Sequence, residues 1–155
     1  MHTMIRQFHT TLGGLECVVV DHESLARPQM AVMLCHGFGA SGDDLVPLGE
    51  ALLRRFPDLQ QRCRFVFPAA PIRLAGFGAA RAWWPIDVDA LARQVGQGGE
   101  LRMHVPEGLA KARKLIIGLL DAMQRDWQLD LGRVVLGGFS QGAMLATDVA
   151  LRAEE

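Results

Sequence analysis

The run Gly138-Phe139-Ser140-Gln141-Gly142 has the residue types and spacing that nucleophilic serine chemistry needs. Apolar Arg133 to Gly137 leads directly into it, and a helical pattern from Ala143 leads directly out. A serine on so tight a strand-to-helix turn stands exposed at the end of a sheet. Gly138 and Gly142 keep β-carbons out of that turn, and the new helix points its first N–H groups at developing negative charge. The bland alternative is a glycine-rich connection with a solvent-facing serine; the flanking strand and helix favour the chemical reading. A second candidate, His36-Gly37-Phe38-Gly39, closes the apolar run Met30 to Cys35. In a strand-turn-helix architecture of this kind, a loop at this place is expected to supply one oxyanion N–H, from Phe38, and Gln141, following the serine, the other. Removing one such donor typically lowers rates by ~10²–10³.

The elements that must position these residues follow from hydrophobic patterning. Leu15 to Val20, Met30 to Cys35, Arg64 to Phe67 and Arg133 to Gly137 read as strands, mostly apolar on both faces. Asp43 and Asp44 are expected to open a helix with Leu45, Leu48, Leu52 and Phe56 as its buried stripe, stopped by Pro57. Pro106 and Glu107 begin a second helix to about Trp127, with Leu109, Ala112, Ile116, Leu119, Leu120, Met123 and Trp127 inward. Residues 72–105 read as an irregular, Gly-rich lid or cleft loop. Met30, Met33 and Met144 fit core positions. Arg73, Arg81, Asp87 and Asp89 read as surface charges. Strands alternating with helices predict one α/β domain around a mostly parallel sheet.

Composition narrows the field. The chain has 155 residues, half of them hydrophobic, enough for one domain with a core and unlike a disordered segment. Sixteen basic against 17 acidic residues leave no footprint for nucleic acid. Cys17, Cys35 and Cys63 form no CxxC pair and read as buried free thiols of a reducing compartment. Neither a leader-like apolar region nor a membrane-length apolar run is present, so a cytoplasmic protein with no membrane span is expected. Gly37 to Gly42 also matches G-x-G-x-x-G, a dinucleotide-binding pattern. That chemistry requires an acid at the end of the next strand, where this chain has Phe65-Val66-Phe67-Pro68.

Taken together, HGFGASGDDLVPL (36–48), FPAAPIR (67–73), AWW (82–84) and LGGFSQGA (136–143) resemble the phospholipase/carboxylesterase family of α/β-hydrolases, which includes acyl-protein thioesterases and small bacterial carboxylesterases. The resemblance runs from about residue 10 onward, in the family's order. It implies an α/β-hydrolase fold and a Ser-His-Asp hydrolase of small-molecule esters or thioesters, without metal or cofactor. It maps the nucleophile to Ser140 and the oxyanion donors to Phe38 and Gln141, gives His36 and Gly37 a structural role, and places Trp83 and Trp84 near an acyl-binding cleft. Ala143 stands where the family commonly has Gly.

A serine nucleophile needs a base, and in this architecture the acid and the histidine follow the serine. All five histidines, at 2, 9, 22, 36 and 104, precede Ser140. His36 and His104 are the only upstream candidates, and neither is favoured. The sequence also stops in a helical pattern, ALRAEE, with no Gly or Asn cap. The expectation is the N-terminal part of a hydrolase, with acid and base on further strand-helix units. Alone it would be a poor catalyst, because loss of the triad histidine costs on the order of 10⁶ in turnover. The strand before Ser140 would then be an exposed edge, favouring self-association. The rival reading is a non-catalytic scaffold that binds acyl ligands or its missing half.

Overall fold

The computed structural model describes residues 4–87, 89–90, 92–93 and 105–152. His2 and His104, and the part of the expected lid at 94–104, lie outside the described residues.

Strands β1 (Ile5–Leu12) and β2 (Leu15–His22) form a hairpin whose turn is Gly13-Gly14, both at positive φ. A two-residue loop of this kind matches the twist of the strands it joins. Gly13 also lies so close to the backbone of Gly118 that a β-carbon would not fit. Strand β1 was not expected from the sequence, although two glycines between two runs are a hairpin signal. Next come β3 (Met30–Cys35), helices α1 (Val46–Arg55) and α2 (Pro57–Gln60), and β4 (Cys63–Pro68). A small hairpin pairs β5 (Ile72–Arg73) with β6 (Arg81–Ala82). Helix α3 (Leu109–Trp127), a 3₁₀ turn (Leu131–Arg133), β7 (Val134–Gly138) and helix α4 (Gln141–Arg152) complete the described elements.

The main sheet has the order β1-β2-β4-β3-β7. It is parallel about β3, which pairs with β4 and β7, and antiparallel in the two ladders on the β1 side. Each face carries a core. Ala31, Met33 and Cys35 of β3 and Val66 of β4 face Ile116, Leu119 and Met123 of α3 and Leu145 and Val149 of α4. Cys63, Phe65 and Phe67 of β4 face Val46 and Leu53 of α1, with Val32 and Leu34 packed beside them. Strands buried on both faces explain why those segments read as unbroken apolar runs.

Three expectations are corrected. Helix α1 buries Val46, Gly49 and Leu53, while Leu48 and Phe56 are each 48% exposed. The cause is Gly49, which packs directly under the Phe65 and Phe67 rings and turns the helix by about one residue. Asp43 and Asp44 lie in the turn ahead of that helix, whose first turn holds no acid. Met144 is on the exposed side of α4, while Met33 is fully buried. The three cysteines are buried free thiols, as expected. Burial pushes Cys17 and Cys35 up to about 12 and Cys63 to about 11, which leaves them protonated and inert.

Candidate active site

Strands β3 and β7 run parallel with Cys35 opposite Gly138, so the chain leaves both at one edge of the sheet. The two exits interlock. The Phe139 N–H donates to the Cys35 carbonyl at 3.0 Å. A β-carbon on Gly138 would stand 2.6 Å from the same carbonyl oxygen, and one on Gly142 would overlap it outright. Both motif glycines are therefore demanded by close backbone approach. Gly37 sits so near that a β-carbon there would be 3.4 Å from the Ser140 β-carbon.

Ser140 is exposed and has φ 51°, one of two positive-φ non-glycine residues among the described residues. A side chain held in that region costs about 1–2 kcal/mol, and such strain concentrates where geometry serves function. Helix α4 starts immediately after it, with Gly142, Ala143 and Met144 donating back to the carbonyls of Phe139 and Ser140. Among the described residues, the N–H groups of Phe38 and Gln141 have no protein acceptor, and neither does the Ser140 hydroxyl. Free donors flanking an exposed hydroxyl can receive an oxyanion.

The surrounding polar groups are all committed. His36 is 1% exposed; its Nδ1–H donates to the Gly37 carbonyl at 2.8 Å, and its Nε2 accepts the Ala70 N–H at 3.0 Å. Burial lowers its pKa from the ordinary histidine value, so the ring is neutral with both nitrogens in use. That arrangement shapes the loop and leaves no lone pair for Ser140. His9 is exposed on β1, and His22 pairs with Ser24 at 2.7 Å. Gln141 is buried, and its side-chain amide bridges two backbone groups: Oε1 accepts the Trp83 N–H at 2.8 Å and Nε2 donates to the Trp84 carbonyl at 2.9 Å. The Trp83 indole N–H donates to the His36 carbonyl at 2.9 Å.

Trp83 and Trp84 are each 2% exposed and belong to the core beneath the turn. Their backbone bonds to Gln141 draw them inward, so they meet the site from behind. Arg81, expected on the surface, is mostly buried, with its side chain 13% exposed. Two features gave no sequence signal: the Gln141 amide bridge, and a buried Asp21 that binds Arg6 at 2.9 Å and Arg64 at 2.8 Å. The register that pairs Arg6 with Asp21 across the hairpin would have shown half of the latter. Among the described residues no cluster of three or more His, Cys, Asp or Glu side chains is placed to hold a metal ion. A groove of about 510 Å³ lies beside the β1–β2 hairpin, bordered by Thr10, Glu16, Ser41, Asp43, Arg73 and Arg81.

A mixed sheet covered by helices on both faces, with a strained serine turn at the end of a parallel strand, defines the α/β-hydrolase class of fold. The sequence profile of the phospholipase/carboxylesterase family matches residues 15–155, and the chain belongs to that family. It is 29% identical over 134 residues to acyl-protein thioesterase 1 of Emericella nidulans, covering 85% of this chain and 54% of that protein. With acyl-protein thioesterase 1 of Eremothecium gossypii the identity is 35% over 130 residues, covering 81% and 50%. The chain thus spans about half the length of the curated relatives it matches. Among solved structures, esterase PE8 superposes with a TM-score of 0.64 at 27% identity, covering 96% of this chain and 58% of the other. TT1662 from Thermus thermophilus shares the fold, with a TM-score of 0.59 at 16% identity over 92% of this chain and 50% of that one. No helix among the described residues is long and apolar enough to cross a membrane.

Proposed function

We propose that the protein carrying this chain hydrolyses carboxylic esters or thioesters through an acyl-enzyme on Ser140. The Ser140 Oγ attacks the acyl carbonyl carbon while a base takes the hydroxyl proton. The carbonyl oxygen becomes an oxyanion held by the Phe38 and Gln141 N–H groups. Collapse breaks the bond to the alcohol or thiol, which leaves with the proton. Water then repeats the attack on the acyl-serine, releasing the acid and restoring the hydroxyl. Both His36 nitrogens are engaged, so His36 is not the proton acceptor this reaction needs. Trp83 and Trp84 contribute from beneath, by fixing Gln141 and His36. The observation that carries the reading is the left-handed, exposed Ser140, clamped between glycines that admit no side chain and flanked by two unused N–H donors. The acyl-protein thioesterase and esterase names of the relatives agree with it.

The test is covalent labelling by a fluorophosphonate, read by mass spectrometry, together with hydrolysis of a short-chain p-nitrophenyl ester. Wild type is expected to carry the adduct on Ser140, and Ser140→Ala to lose both label and turnover. Absence of labelling, with hydrolysis no faster than in Ser140→Ala, would refute the acyl-enzyme reading and favour a non-catalytic scaffold.

A further inference from the structure

The loop that carries Phe38 is held from an element with no assigned task, the two-residue strand β6. The Gly39 N–H donates to the Arg81 carbonyl at 2.9 Å, and the Arg81 N–H donates to the Ala40 carbonyl at 2.9 Å. These bonds bracket the residues immediately after the proposed oxyanion donor. Gly39 has φ 80°, and a β-carbon there would meet nothing within 4 Å. The space where a Gly39 side chain would pack is open, and the two bonds to Arg81 hold the backbone there.

Among the described residues strand β6 forms a ladder only with β5, itself two residues long, and so short a ladder is marginal alone. The Arg81 side chain ties it to the main sheet. Its Nη1 donates to the Ala70 carbonyl at 3.0 Å, and its Nη2 pairs with the Glu16 carboxylate. Ala70 in turn donates its N–H to His36, and Ala69 donates to the Glu16 carbonyl at 2.8 Å. The circuit closes: strand end, His36, loop, β6, guanidinium and strand end again. A planar guanidinium can send two N–H groups in fixed, diverging directions, which a lysine ammonium does not reproduce.

We propose that Arg81 is a positioning residue, holding the Phe38 amide at the place where an oxyanion forms by fixing the Gly39–Ala40 backbone. This deepens, and rests on, the acyl-transfer reading of Ser140. Trp83 anchors the same segment through Gln141, so loss of Arg81 loosens the loop without dismantling it.

The test compares wild type with Arg81→Ala, Arg81→Lys, Arg73→Ala and Ser140→Ala in p-nitrophenyl ester hydrolysis, normalised to fluorophosphonate-titrated sites. Arg81→Ala is expected to lower kcat about tenfold or more, since small displacements of catalytic groups have effects up to ~10². KM should stay within about twofold. Arg81→Lys recovers part of the loss, and Arg73→Ala behaves as wild type. In parallel, amide hydrogen exchange is followed by NMR. Arg81→Ala should speed exchange at Gly39 about tenfold or more and leave the β3 amides unchanged. Equal kcat and equal Gly39 protection in wild type and Arg81→Ala would overturn the proposal, as would a kcat change that disappears on normalisation. Turnover surviving in Ser140→Ala would refute the acyl-transfer reading. Gly39 exchange would still judge the tether, and it decides alone if wild type shows no turnover.

Discussion

Replacing Ser140 by glycine should make the protein more stable while removing its proposed chemistry. The backbone at Ser140 has φ 51°, where an L side chain costs about 1–2 kcal/mol. Glycine removes that cost but brings about 0.5–1 kcal/mol of extra chain entropy to the unfolded state. The balance favours Ser140→Gly by up to about 1.5 kcal/mol, centred at ~0.8 kcal/mol. The Ser140 hydroxyl has no partner among the described residues. Ser140→Ala therefore keeps the strained β-carbon and should match wild type within about 0.5 kcal/mol. In a chain of this size 1 kcal/mol moves the melting midpoint by about 2–4 °C, so Ser140→Gly should melt about 2–3 °C, and at most about 6 °C, above Ser140→Ala. Scanning calorimetry of the three proteins at one concentration measures this. A glycine variant that melts at or below the alanine variant would refute the claim that this turn stores strain.

Two further outcomes follow from the same interlocked exits. Gly142→Ala places a methyl against the Cys35 carbonyl, a backbone group that cannot swing aside, and should lose more than about 3 kcal/mol in urea unfolding. Gly137→Ala meets only the Leu34 Cδ2 at 3.2 Å, the end of a flexible side chain, and should cost within about 1 kcal/mol. His36 gives a pH signature. Its folded-state pKa lies below the ordinary 6.5, first because of burial, so the unfolded chain binds its proton more readily. Its contribution is complete above 6.5 and is lost as pH falls through the folded value. Unfolding free energies of wild type should therefore drop more steeply than those of His36→Gln as pH falls from 6.5 toward the folded value. Parallel pH dependences would contradict a neutral, doubly bonded His36.

The sequence made the turn around Ser140 legible because its demands are local. Two glycines, a strand before and a helix after define it within ten residues. The inward face of α3 was readable too, since Ala112, Ile116, Leu119 and Met123 recur at helical spacing. The rotation of α1 was not. It depends on how Gly49 meets Phe65 and Phe67, rings supplied by a strand still to come in the chain. Nor was the inward turn of Arg81, whose partners Glu16, Ala40 and Ala70 come from three separate segments. Local periodicity carries no information about which distant carbonyl an arginine will find.

The difference between what was and was not legible has a chemical reason. An oxyanion site needs N–H donors that the protein itself leaves unused, and unused donors at a strand exit invite the chain to collapse onto them. The fold counters this by pairing three neighbouring side chains elsewhere: both nitrogens of His36, both ends of the Gln141 amide and the guanidinium of Arg81. Most of those pairings reach across the chain, to Ala70, Trp83 and Trp84; the His36 Nδ1 bond to the adjacent Gly37 carbonyl is the local one. The serine motif can thus be short and readable, while most of the residues that surround it are scattered along the chain and come together only once it is folded.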